Sequence, residues 1–94
     1  MDDYRIILSS HARVRMFERC VTLKEVKDAI RLGKIIEAYP RSMPCPSVLL
    51  LYWHDLRPLH VVVAIDNAYK TKRVITVYEP GTDTWEVGFE RRKS

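Results

Sequence analysis

"LHVVVAID", Leu59 through Asp66, is the stretch on which the fold turns. Its apolar residues run on without the alternation of a half-solvated strand. It therefore reads as a strand covered on both faces, and so as central in its sheet. A central strand needs neighbours, and the flanking sequence supplies them. "VLLLYW" (48–53) precedes it through the turn "HDLRP", and "RVITVYEP" (73–80) follows it through "NAYKTK". Upstream, "KIIEAYP" (34–40) is a short strand stopped by Pro40. "RSMPCPS" (41–47) has two prolines and no helical period, which makes it a loop. "GTDTWEVGFE" (81–90) is either a last edge strand or an irregular arm.

Two helices come before the strands. Ser10 is a suitable N-cap for a helix over about 11–20, in which Ala12, Met16 and Cys20, with Phe17 beside them, form an apolar stripe. Thr22 and Glu25 have the spacing of a capping box for the second helix. There Leu23, Val26, Ala29 and Ile30 face the core, Lys24, Lys27, Asp28 and Arg31 face solvent, and Gly33 stops the helix in the usual C′ place. The expected fold class is α+β: two N-terminal helices packed on one face of an antiparallel sheet of about four strands, in a single domain over 1–94.

The totals narrow the functional classes. With 47% hydrophobic and 30% charged residues and three glycines, the chain is globular, not disordered. "MDDYRIILSS" begins acidic around a three-residue apolar run, so neither a signal peptide nor a membrane span is expected there. Cys20 and Cys45 stand far apart, without CxxC spacing, which fits a reducing cytoplasm. The net charge of +4, weighted toward the N-terminal half and the tail "RRK", suits nucleic acid or an acidic protein and decides nothing alone.

His60 lies among apolar neighbours and shares a strand face with Val62 and Ala64. It is either a buried histidine satisfied by a hydrogen bond or a functional one. Arg57, Arg73, Tyr78 and Glu79 at the ends of the same strands raise the second reading. His11, Arg15 and Arg19 recur along one line of the first helix. They form either a solvated cationic face or a phosphate-binding wall, since guanidinium forks match phosphate geometry. No HxH, HExxH or CxxC pattern suggests a metal, and neither cysteine has an evident base. Neither cofactor nor metal is expected. Trp85, Phe89 and "ERRKS" are an aromatic and basic end that either stacks on bases or anchors an edge strand.

"SHARVRMFER", "VTLKEVKDAIRLGKIIEAYP", "RPLHVVVAID" and "VITVYEP…W" together resemble the domain of unknown function 4258 family over nearly the whole chain. The most specific parts are His11, Ala12, Arg15, Met16 and Arg19 in their spacing, Gly33, and the strand carrying Arg57, Pro58 and His60. Cys20 departs from the glycine that such families often carry before the second helix. The resemblance extends to RelE/ParE-like (BrnT-like) toxins. It implies a compact RelE-like α+β fold and a bacterial toxin–antitoxin system. The implied activities are ribosome-dependent or free messenger-RNA cleavage, or gyrase poisoning, and the implied partner is an antitoxin.

Two functions are then expected to compete. One is a metal-independent endoribonuclease, which needs a base for the 2′-hydroxyl, cations for the phosphorane and an acid for the leaving oxygen. His11 and His60 are the acid/base candidates and Tyr78 an orienting or proton-donating hydroxyl. Arg15 and Arg19 are the phosphate clamps, with Arg57 and Arg73 as further RNA-phosphate contacts. This reading expects His11 and His60 to approach each other. The other function is a non-catalytic module that docks a protein or nucleic acid through its basic helix or an open sheet edge, with Trp85 as the partner anchor.

Overall fold

The structure, a computed structural model, describes residues 4–94, so Met1–Asp3 of the acidic start lie outside the described residues. Its elements are β1 (Arg5–Leu8), α1 (Ser10–Glu18), α2 (Leu23–Leu32), β2 (Lys34–Tyr39), β3 (Ser47–His54), β4 (Arg57–Asp66) and β5 (Thr71–Tyr78). The strands form one sheet in the order β1-β5-β4-β3-β2. Strands β2 to β5 are an antiparallel meander, with β4 central as its continuous apolar run requires. The class is α+β, but the sheet has five strands and is mixed. The additional strand, β1, lies parallel to β5, with Arg5 opposite Thr71 and Leu8 opposite Val74. Four residues carry too little period to declare a strand. Its partner is some sixty-six positions away, so the pairing is a tertiary fact.

Both helices cover one face. Leu59, Val61 and Val63 of β4, Leu50 of β3 and Val74 and Val77 of β5 meet Ala12, Met16, Val26 and Ala29 in one core. Ser9, not Ser10, caps α1: its hydroxyl oxygen accepts from the Ala12 N–H at 3.0 Å and donates to the Ile75 carbonyl at 3.0 Å. That one side chain starts the helix and ties it to β5. Phe17 and Cys20 leave the expected stripe, and Phe17 is 87% exposed. Phe17 stands one residue past Met16 and so about 100° round the helix from the buried Ala12–Met16 line. Cys20 is lost to an early exit, since α1 stops at Glu18, Cys20 takes φ 55°, and Val21 turns into the core. A glycine would be free of strain at this left-handed turn, and Cys20 adopts it with a β-carbon.

The capping box of α2 forms as expected between Thr22 and Glu25. Leu23 is exposed and Asp28 buried, the reverse of the expected faces, because Asp28 accepts from Lys24 at 2.9 Å and Arg31 at 3.1 Å beneath their side chains. Gly33 ends the helix for another reason than left-handed geometry. Its backbone is extended at φ −69° and ψ 159°, and a Cβ there would stand 2.4 Å from the Ala29 carbonyl oxygen.

Candidate functional site

Strand alternation turns His60, Val62, Ala64 and Asp66 to the face without helices. The segment after β5 crosses one end of that face. Trp85, 2% exposed, sets its ring edge-on to His60 with centroids 4.4 Å apart, and the Arg92 guanidinium lies 4.6 Å over the Trp85 ring. Arg92 also forks onto the Glu37 carboxylate at 2.9 and 3.1 Å, and Lys34 holds Glu90 at 2.8 Å. The terminal segment is thus an arm strapped to β2 by two ion pairs. Trp85 is therefore not the exposed anchor of an edge strand. Its indole closes the sheet face at that end.

Beneath the arm His60 is fully buried, and both ring nitrogens are engaged. Nε2 lies 2.8 Å from the Phe89 carbonyl oxygen, which can only accept, so Nε2 carries the hydrogen. Nδ1 is then the acceptor, and the Tyr78 hydroxyl donates to it across 3.1 Å. Burial lowers the pKa of the imidazole, against the opposing pull of the Phe89 carbonyl, and raises that of the Tyr78 phenol. Both groups are held neutral. Glu37, its carboxyl pKa lowered chiefly by Arg92, also accepts from the Tyr39 hydroxyl. His60, Tyr78, Glu37, Tyr39 and Arg92 thus form one polar cluster at one end of the helix-free face.

The expected site residues are partly gathered. His60 and Tyr78 meet. His11 does not join them: Leu59 and Val61 claim the core side of β4, which turns His60 away, whereas Ala12 and Met16 seat α1 on the core side. His11 is exposed on that helical layer. Arg15 pairs with Glu18 at 3.4 Å, and Arg19 is exposed beside it. Arg57 is spent internally. Its guanidinium donates to the carbonyls of Arg19 and Cys20 and faces Glu25 at 3.5 Å and Glu79 at 3.3 Å, joining the α1–α2 corner to the strand ends. Arg73 stands on the helix-free face, outside the polar cluster, at the edge of a groove.

Glu37, Tyr39 and Arg92 were not singled out by the sequence. Glu37 and Tyr39 carried a usable signal, since i and i+2 in a strand share a face. Arg92 carried none, because its place follows from the path of the arm. Among the described residues no group of three or more His, Cys, Asp or Glu side chains is placed to hold a metal ion.

The buried imidazole makes stability depend on pH. Its folded pKa is depressed, so on acidification the unfolded chain takes up the proton first. This contribution is complete above the ordinary imidazole range and is lost as pH falls from there toward the folded value. Urea unfolding between about pH 7.5 and about pH 5 is expected to show that decline, and His60→Gln to flatten it. An equal decline in the variant would place its source elsewhere.

Residues 8–79 match the family described as Domain of unknown function (DUF4258). The chain belongs to the DUF4258 family. No curated protein and no solved structure gives a match. The span shared with the DUF4258 family includes His60 and Tyr78 and ends before Trp85 and Arg92, so the pair lies within it and the covering arm beyond it. No helix among the described residues is long and apolar enough to cross a membrane.

Proposed function

We propose that this DUF4258 chain is a toxin-like endoribonuclease of a bacterial toxin–antitoxin pair, RelE-like in fold, cutting RNA without a metal in the cytoplasm. The observation that carries the reading is the neutral His60–Tyr78 hydrogen bond, set beside Arg92, Glu37 and Tyr39 on a sheet face that no helix covers. In metal-free cleavage the 2′-hydroxyl gives its proton to solvent as its oxygen bonds to the adjacent phosphorus, and the P–O5′ bond breaks with a proton passing to the 5′-oxygen. Tyr78 is half-buried and kept protonated by burial; its hydroxyl hydrogen, lent to His60 Nδ1 at rest, turns to the leaving oxygen, and solvent restores the proton afterwards. It is the proton donor of this site. Arg92, although forked onto Glu37, keeps its guanidinium half-exposed beside the pair, where it can also meet the phosphorane. The substrate is single-stranded RNA, ribosome-bound messenger included, and the exposed basic face of α1 around His11, Arg15 and Arg19 is offered to RNA or to an antitoxin.

The enclosure of His60 favours a second reading, in which the same surfaces bind RNA or protein without cutting. One assay separates them. Purified protein is incubated with single-stranded RNA and excess chelator, beside induced expression in a bacterial host. Fragments ending in a 2′,3′-cyclic phosphate, together with growth arrest, are the expected result. RNA bound but left intact selects the binding module, and RNA neither bound nor cut removes both RNA readings.

A further inference from the structure

The helix-free face carries a second feature, beyond the reach of the arm. A groove of about 460 Å³ runs between the 42–45 loop and the edge of the sheet, floored by Ile7, Val62, Ala64 and Ile75. Resting on the RNA-directed reading above, we infer that this groove is a subsite for one nucleotide of the bound RNA, and that it prefers guanosine. Its volume lies in the range that encloses a small organic ligand. A floor of short apolar side chains on a pleated sheet suits a flat ring, and the polar groups stand at the rim.

Those rim groups are two opposite charges that do not neutralise each other. Arg73, opposite Ala64 in the β4–β5 register, is exposed and has no ion-pair or hydrogen-bond partner among the described residues. Asp66 pairs with Thr71, so it is the diagonal neighbour of Arg73, about 7 Å away at the Cβ atoms. One oxygen of its carboxylate accepts from the Tyr69 N–H at 3.1 Å, which holds the group in place at the strand end. A ligand filling the groove meets a guanidinium at one point and a carboxylate at another. A nucleotide matches both: phosphate to Arg73, a base edge rich in N–H donors to Asp66. Guanine offers a ring N–H and an exocyclic amino group side by side, which a carboxylate accepts together. Adenine and cytosine offer one amino group. Uracil flanks its N–H with two carbonyl oxygens that the carboxylate repels. The charge pattern orders the bases with guanine first and uracil last.

Equilibrium dialysis of the full chain against 5′-GMP and 5′-UMP tests this, with the fold of each variant checked by urea unfolding. GMP is expected to bind about tenfold or more tighter than UMP, the size of one charge-assisted hydrogen bond. Asp66→Asn keeps an oxygen for the Tyr69 N–H and is expected to erase the preference. Arg73→Gln is expected to weaken both nucleotides about tenfold, and Ala64→Leu, which fills the floor, to abolish binding. Tyr78→Phe should leave GMP binding unchanged. Equal binding of GMP and UMP to the wild type, or undiminished GMP binding by Ala64→Leu, overturns the inference. RNA cut by a protein that binds no GMP sinks the subsite alone. GMP bound by a protein that leaves RNA intact sinks the ribonuclease reading alone.

Discussion

Trp85→Ala is expected to lower the stability of the folded chain by about 3–5 kcal/mol, the cost typical of truncating a buried large aromatic side chain. The indole is 2% exposed, packs edge-on against His60 and lies under Arg92. Its removal leaves a cavity directly over a buried imidazole, and water entering there competes for the hydrogen bonds to Tyr78 and Phe89. A change of this size is a large share of the ~5–15 kcal/mol that holds a domain together. Urea unfolding followed by far-ultraviolet circular dichroism measures it. A loss below about 1 kcal/mol would mean that the arm lies on the sheet without contributing to its stability. The same variant examines the expectation that Trp85 anchors a partner. Partner binding lost only in proportion to unfolding makes Trp85 a core residue and nothing more.

Tyr78→Phe is expected to slow RNA cleavage about a hundredfold or more, the usual contribution of a positioned proton donor. Its effect on stability should be about 1–3 kcal/mol, because the hydroxyl is lost and the buried Nδ1 of His60 is left without its donor. That separation matters, since His60→Ala would confound catalysis with collapse of a fully buried site. Single-turnover cleavage with saturating protein, read beside the unfolding curve, gives both quantities. Cleavage at the wild-type rate in Tyr78→Phe would take the proton-transfer role away from the His60–Tyr78 pair.

The pairing of His60 with Tyr78 was half legible before the structure. Both residues lie on strands that the sequence places side by side, and antiparallel register sets them directly opposite each other. The grouping of His11 with His60 failed for an instructive reason. Each was read correctly within its own element, as a residue on a polar helix face and as one among apolar strand neighbours. Nothing in either element says which side of the sheet the other will occupy. Arg57 shows a demand that the sequence did not announce. Its guanidinium donates to carbonyls at the end of α1, a demand that arises only when α1 stops at Glu18.

What the sequence by itself determined follows local periodicity. The uninterrupted apolar run at 59–66 made β4 central, the Thr22–Glu25 spacing started α2, and the polar turns set out the meander. These features depend on residues within a few positions of one another, and their energetics are nearly the same in any context. The tertiary structure alone decided the parallel docking of β1 on β5, the path of the arm over His60, and the groove beside it. Each depends on contacts between residues far apart in the chain. Such contacts form because the folded sheet presents unpaired backbone and uncovered apolar surface at its edge and on its second face, and that demand exists only once the sheet is built.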